Sequence, residues 1–228
     1  MTAPKTARQP YAADLVAMAR AMEPDTRRWL TDINWNEYKQ LSEAFPDSPN
    51  IRLAYCDERL EIMSTGFQHD RISRFISAVV RALVAGLKQA MIEAGSATLT
   101  LDPKETSAEP DTAFYIRHAK QMMRRDKIDL QNDPPPDLVL EVDITNPTRS
   151  KEKIYARIGV PEIWRHNGTS VTIRLLKDGV YHDSPNSLAF PFLTADKLAE
   201  VLETEAEDQT QALSDFAEWV NAQAKDQG

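Results

Sequence analysis

The chain has 228 residues, 42% of them hydrophobic, with 14 prolines, 7 glycines and a single cysteine. That is enough for one well-buried domain with an extension, while no apolar run approaches the roughly 18–20 residues of a membrane span and the opening MTAPKTARQP lacks a signal-peptide core, so a cytoplasmic protein without membrane association is expected. The lone Cys56 excludes an internal disulfide and a cysteine-rich zinc site, and a net charge of −8 argues against strong non-specific attachment to nucleic acid.

Residues 1–9 read as disordered and 11–22 as a short helix that Pro24 ends. A second helix is expected over 34–45, closed by the turn Asp47-Ser48-Pro49-Asn50. IRLAY and RLEIMS, on either side of Cys56-Asp57-Glu58, form the two strands of a hairpin. Residues 67–94 make the longest helical segment, with Gly95 as its stop. ATLTLD and DTAFYI are strands separated by the polar loop KETSAEP, and 117–136 is a long polar loop holding one or two helical turns at most. A strand after Pro136, a helix from about Arg149 to Ile158, strands near PEIWRH, SVTIRLL and GVYHD, and helices over 194–202 and 209–224 follow. Elements mixed in this order predict an α/β fold with a mixed central sheet flanked by helices. Residues 1–34 then form an N-terminal extension, 35–205 the domain, and 206–228 a C-terminal helix.

The chemical question lies in PDLVLEVDIT. Strand alternation sends Leu138, Leu140, Val142 and Ile144 to one face, and Asp137, Val139, Glu141 and Asp143 to the other. Glu141 and Asp143 then stand about 6–7 Å apart along the strand. Burying such carboxylates unpaired costs several kcal/mol, so a divalent cation or a lysine must compensate. In EPDTAFYI, Asp111 likewise opposes Thr112, Phe114 and Ile116. Acids of this kind can simply cap strand ends at a solvated edge, but Glu141 sits mid-strand.

These residues carry a resemblance. Pro110-Asp111, then Glu141 in an apolar strand, then a nearby lysine, resemble the PD-(D/E)XK nuclease superfamily. LEIMS with a downstream histidine, PPDLVLEVDIT and KxxxYARxGVPEIW resemble, more narrowly, its bacterial family of putative restriction endonuclease domains, over roughly residues 38–202. The short acid pair is weakly specific, whereas the spacing over 135–164 is distinctive. The resemblance implies a restriction-endonuclease-like sheet flanked by helices, with the nuclease-like domain over 35–205, and metal-dependent cleavage of DNA. The superfamily pattern wants a lysine two residues after the glutamate, where this chain has Asp143. In the family the lysine comes from the following helix, four residues before a tyrosine, and Lys151 ahead of Tyr155 matches that place. One helical turn apart, the two share a face. Lys153 is the rival.

On that resemblance Asp111 and Glu141 are the expected ligands of Mg2+, with Mn2+ as a substitute, a hard cation that takes carboxylate oxygens and keeps several waters. Such an ion acidifies bound water and neutralises developing charge, and Lys151 is expected to position that water or stabilise the phosphate charge. Asp143 is a further ligand or a supporting acid, and Glu61, His69, Lys153 and Tyr155 are candidate neighbours of the site. The alternative is a catalytically inactive nuclease-fold protein acting as a nucleic-acid-binding or protein-interaction module. Carboxylate repulsion predicts that neutralising Asp111 or Glu141 leaves the metal-free protein as stable as wild type or slightly more so.

On the long helix, Ile72, Ile76, Val79, Leu83 and Leu87 form one apolar stripe, with His69 in line. Arg71, Arg74, Arg81 and Lys88 gather on another side, as a solvated face or a contact for phosphates. RHAKQMMRRDK follows the strand that Asp111 starts, so Arg117, Lys120, Arg124 and Arg125 are expected near the site as DNA contacts. In the last helix, Leu213, Phe216, Ala217 and Val220 fall at i, i+3, i+4 and i+7. That stripe docks on its own domain or pairs with a partner. A homodimer is expected, since the two strands of a duplex invite two-fold symmetry.

Overall fold

The computed structural model describes residues 12–45, 50–144, 150–205 and 207–226. The expectations for residues 1–11, for the turn at 47–49 and for a helix start at Arg149 lie outside these. Helix α1 (Ala12–Arg20) leads to strand β1 (Thr26–Thr31) and helix α2 (Trp35–Ala44). A capping box starts α2: Asn34 Oδ1 accepts from the Glu37 amide (3.0 Å), and the Glu37 carboxylate accepts from the Asn34 amide (2.8 Å). The hairpin β2 (Ile51–Cys56) and β3 (Arg59–Ser64) turns through Asp57 and Glu58, both at positive φ. There follow α3 (Phe67–Gly86), β4 (Ile92–Gly95), β5 (Leu99–Leu101), β6 (Thr106–Ala108) and β7 (Thr112–Tyr115). The long loop carries the short α4 (Ala119–Met122). Next come β8 (Leu138–Val142), α5 (Glu152–Ile158), β9 (Glu162–His166), β10 (Val171–Lys177) and β11 (Val180–Ser184). Helices α6 (Ala195–Glu205) and α7 (Gln209–Asp226) end the described chain.

The strands form two sheets. The mixed sheet runs β11-β10-β9-β8-β7-β4, with β8 and β9 its parallel pair. Its Leu138, Leu140 and Val142 pack on α3, α6 and α7, while Val139 and Ala113 pack on Ile154 and Tyr155 of α5. Alternation thus separates two cores through β8, as the sequence pattern requires. The second sheet, β1-β3-β2-β6-β5, is antiparallel. Helices α1 and α2 cover one face of it, where Leu15, Trp35 and Tyr38 meet Leu53, Tyr55, Leu60 and Ile62. Its other face presents Arg27 and Trp29 of β1 opposite Met63 and Glu61 of β3.

Three elements differ from the sequence expectation. The helix expected over 67–94 ends at Gly86: Lys88 takes positive φ, and the chain turns into β4, whose Ile92 and Glu93 pair with Tyr115 and Phe114. Ladder pairing there overrides helix propensity. The loop KETSAEP contains β6, held between β2 and β5, with Thr106 Oγ1 donating to the Tyr55 carbonyl at 3.3 Å. Strand β1 emerges from what reads as an extension. At the C-terminus, Ala212, Phe216 and Val220 are buried against the chain's own core, and a Cβ built on Gly86 would sit 2.6 Å from Val220. The α7 stripe is therefore spent inside the molecule. Among the described residues, no helix is long and apolar enough to cross a membrane.

Candidate active site

The pairing of β7 with β8 builds the site. Thr112 stands across from Leu140, and the Asp111 amide donates to the Leu140 carbonyl (3.2 Å), which brings Asp111 beside Glu141. By alternation both belong with Ala113 and Val139, on the face that α5 covers. Both side chains are buried. Asp111 Oδ2 accepts from the Val142 amide (2.6 Å) and lies 3.1 Å from Nε2 of His69, in the first turn of α3. Burial alone pushes the Asp111 carboxyl up, but His69 and Lys151 outweigh it and bring it down to about 2. The same contact raises the His69 imidazole against the burial that lowers it. Asp111 Oδ1 is buried and accepts no hydrogen bond among the described residues.

Glu141 is gripped from α5. Lys151, the residue that precedes the helix, brings Nζ to 2.9 Å from Oε2 and 3.2 Å from Oε1, and also donates to the Glu109 carbonyl (3.1 Å). One turn later the Tyr155 hydroxyl donates to Glu141 Oε1. Burial is the largest influence on Glu141 and lifts its carboxyl to about 7, with Asp111 and Asp143 adding to it against Lys151. Burial disfavours the Lys151 ammonium too, yet Glu141, Asp111 and Glu61 hold it protonated, at about 12. The Tyr155 phenol is raised well above its ordinary value, first by burial and then by Glu141.

The other candidates divide. Asp143 turns to Arg27 and to Arg165, whose Nε lies 3.2 Å from Asp143 Oδ2. Glu61 accepts from Ser150 Oγ (2.8 Å) and lies 3.5 Å from Arg27 Nε. Lys153 is exposed and pairs instead with Asp57 in the β2–β3 turn. Arg27 is the residue that the sequence reading misses. Only the pairing of β1 with β3 carries it to Glu61 and Asp143, where its side chain is 6% exposed. Its guanidinium stays charged because those two acids offset the burial that opposes the charge. Arg27, Glu141, Asp143, Lys151, Tyr155 and Arg165 bound a chamber of about 10 Å³, near the smallest space that holds one water.

The basic loop is not at this site, which corrects the expected proximity of Arg117, Lys120, Arg124 and Arg125. Asp111 precedes β7 and Arg117 follows it, so the four residues of that strand, about 13 Å of extended chain, hold the two apart. Arg117 and Lys120 line a separate cavity of about 610 Å³ at that far end, and Arg125 pairs with Asp133 (2.8 Å). Arg124 is exposed. Asp137, at the same far end, is a structural acceptor: the amides of Ile116 (2.8 Å) and His118 (3.1 Å) donate to its Oδ2. Of the helix arginines, Arg71 pairs with Glu205 and Arg81 with Glu93.

Four carboxylates (Glu61, Asp111, Glu141 and Asp143) thus stand among three obligate cations (Arg27, Lys151 and Arg165). The donor set suits a hard divalent ion: adjacent carboxylates, one of them with a buried oxygen that no donor reaches. Among the described residues, no group of three or more His, Cys, Asp or Glu side chains is disposed around one ion position.

A family model described as "Uma2: Putative restriction endonuclease" matches residues 35–208. No curated protein matches the chain. Among solved structures the chain is similar to the crystal structure of a "putative nuclease belonging to DUF820 from Anabaena variabilis ATCC 29413". The TM-score is 0.49 and the identity 17%, over 74% of this chain and 98% of that one.

Proposed function

The chain belongs to the Uma2 family of putative restriction endonucleases, and from that premise we propose that it is a metal-dependent DNA endonuclease whose centre is Asp111, Glu141 and Lys151. The convergence of these three buried side chains, with Asp111 Oδ1 lacking a donor, carries the reading. Asp111 and Glu141 would hold Mg2+, or Mn2+ in its place, which supplies an acidified water and neutralises charge on the phosphate.

The remaining work belongs to the chain. His69 and the Val142 amide fix the Asp111 carboxylate, and Tyr155 and Lys151 fix that of Glu141. Lys151 is a permanent, buried positive charge, placed to stabilise negative charge developing on the phosphoryl oxygens or to orient the attacking water. Asp143, held by two arginines, positions Arg27 and Arg165 rather than serving as a ligand. Lys153 has no part in the chemistry. A homodimer acting on both strands would form through a surface other than the α7 stripe. Light scattering that gives one 25.7 kDa chain with DNA present would rule it out.

A second reading, a nuclease fold kept for binding without catalysis, draws on one observation: Lys151 and Tyr155 already satisfy Glu141 without an ion. Mg2+ needs only one or two carboxylates and takes waters and substrate oxygens for the rest, so the catalytic reading is preferred. Incubation of circular DNA, double- and single-stranded, with Mn2+ tests it. Wild type should cut and Glu141→Ala should not; equal cutting by both would defeat the proposal.

A further inference from the structure

Strand β1 is the edge of the five-stranded sheet, and on the face turned away from α1 and α2 its Trp29 stands directly opposite Glu61. Trp29 is 40% exposed, whereas Trp35 and Trp164 are buried and Trp219 partly so. The exposed guanidinium of Arg59 lies over the Trp29 ring, 5.3 Å from its centroid. A cleft of about 370 Å³ opens beside this pair, bounded also by Cys56, Glu61, Ser150 and Lys153. Its inner wall is continuous with the candidate active site. Ser150 donates to Glu61 at 2.8 Å, and it also borders the small chamber beside Glu141 and Lys151.

The cleft is at the lower end of the roughly 300–1,000 Å³ typical of small-ligand sites, so it has room for a nucleotide unit and none for a double helix. An aromatic face offers little to a paired base. In a duplex the bases stack on one another and present only their edges in the grooves, so a ring can stack only on a base that is unpaired. Arginine over that ring adds a planar cation able to stack and to reach phosphate. The net charge of −8 weakens the backbone attraction that duplex binding relies on, while stacking does not depend on it.

We infer that this cleft binds one unpaired nucleotide of a DNA strand, its base stacked on Trp29 beside Arg59. The adjoining phosphate is thereby delivered toward Asp111 and Glu141, and single-stranded or unpaired DNA is preferred over intact duplex. The delivery step rests on the nuclease reading; the binding step does not.

Tryptophan fluorescence for the quench, and the anisotropy of fluorescein-labelled oligonucleotides for the affinities, both in EDTA where no cutting takes place, test the binding alone. Wild type is titrated with a short oligothymidylate and with a hairpin-closed duplex of the same length. The single strand should quench emission and bind about tenfold tighter than the duplex, and Trp29→Leu should lose the quench and about tenfold in affinity. Trp29→Phe, which keeps a stacking face, should lose the quench and retain most of the affinity. Unchanged affinity in Trp29→Leu, equal affinity for duplex, or no binding of either oligonucleotide overturns the inference. A protein that binds the single strand through Trp29 but never cuts with Mn2+ keeps this inference and loses the catalytic reading. One that cuts while Trp29→Leu binds like wild type does the reverse.

Discussion

Replacing Lys151 with methionine keeps the apolar stem and removes the ammonium that contacts Glu141 at 2.9 Å. The two side chains are 6% and 7% exposed, and deleting one partner of a buried pair costs about 3–5 kcal/mol because the other charge is left uncompensated. Glu141 can evade part of that cost by taking up a proton. Its carboxyl already titrates at about 7 because burial opposes the charge, and Lys151 is the largest influence pulling it down. Without Lys151 it rises further. A carboxyl whose folded pKa lies above its unfolded one contributes stability that is complete below the ordinary carboxylate range and is lost as pH climbs through the folded value. Wild type has finished losing that contribution soon above pH 7. The variant keeps losing about 1.4 kcal/mol per pH unit for as long as the carboxyl holds its proton. Between about pH 7 and about pH 9 the gap should therefore widen by up to about 2.7 kcal/mol, or roughly 5–11 °C in Tm for a chain of this size. Calorimetric melting of both proteins in EDTA across that range measures it. A Tm difference that stays constant with pH would refute the reasoning.

Because a protonated carboxyl cannot ligate, apparent Mn2+ affinity should rise about tenfold per pH unit below the Glu141 value of about 7 and level off above it; affinity independent of pH there would remove Glu141 from the ligand set. At about pH 8 metal-free Glu141→Gln should melt no lower than wild type, since a carboxyl held at about 7 is one whose charge the fold disfavours and the amide stands in for its neutral form; a lower Tm would show that the counter-charge to Lys151 outweighs that burial. Arg27→Met should cost about 3–5 kcal/mol, and a double-mutant cycle with Asp143→Asn should show coupling above about 1 kcal/mol, whereas additive effects would mean that the contact carries no energy. Lys153→Ala, which removes an exposed pair with Asp57, should change stability by under about 1 kcal/mol and leave cleavage intact. A loss of cleavage would transfer the catalytic lysine from Lys151 to Lys153.

The sequence makes part of this site legible because its signals are local. Alternation in PDLVLEVDIT separates Leu140 from Glu141, and one helical turn links Lys151 to Tyr155. The hairpin carrying Glu61 follows from the same period. What escapes is non-local or unpatterned. No residue of β1 is fully buried, so TRRWLT shows no apolar alternation, and Arg27 gains its partners only through pairing with β3. Strand β6 is polar, its Thr106 and Ser107 buried by hydrogen bonds rather than by hydrophobicity. The basic loop misleads because closeness in sequence to Asp111 is distance in space once the intervening residues are extended. Asp137 shares the alternating face of Glu141 but caps backbone amides at the opposite end of the strand.

Calorimetric titration of Mn2+ at about pH 8, above the Glu141 value of about 7, tests the metal site most directly, with wild type, Asp111→Asn and Lys151→Met in parallel. Wild type should bind one ion per chain, Asp111→Asn should show no binding heat, and Lys151→Met should bind more weakly, because its Glu141 holds a proton at this pH, and should fail to cut DNA even when saturated with the ion. Undiminished Mn2+ binding by Asp111→Asn, or none by wild type, would contradict the assignment of these carboxylates.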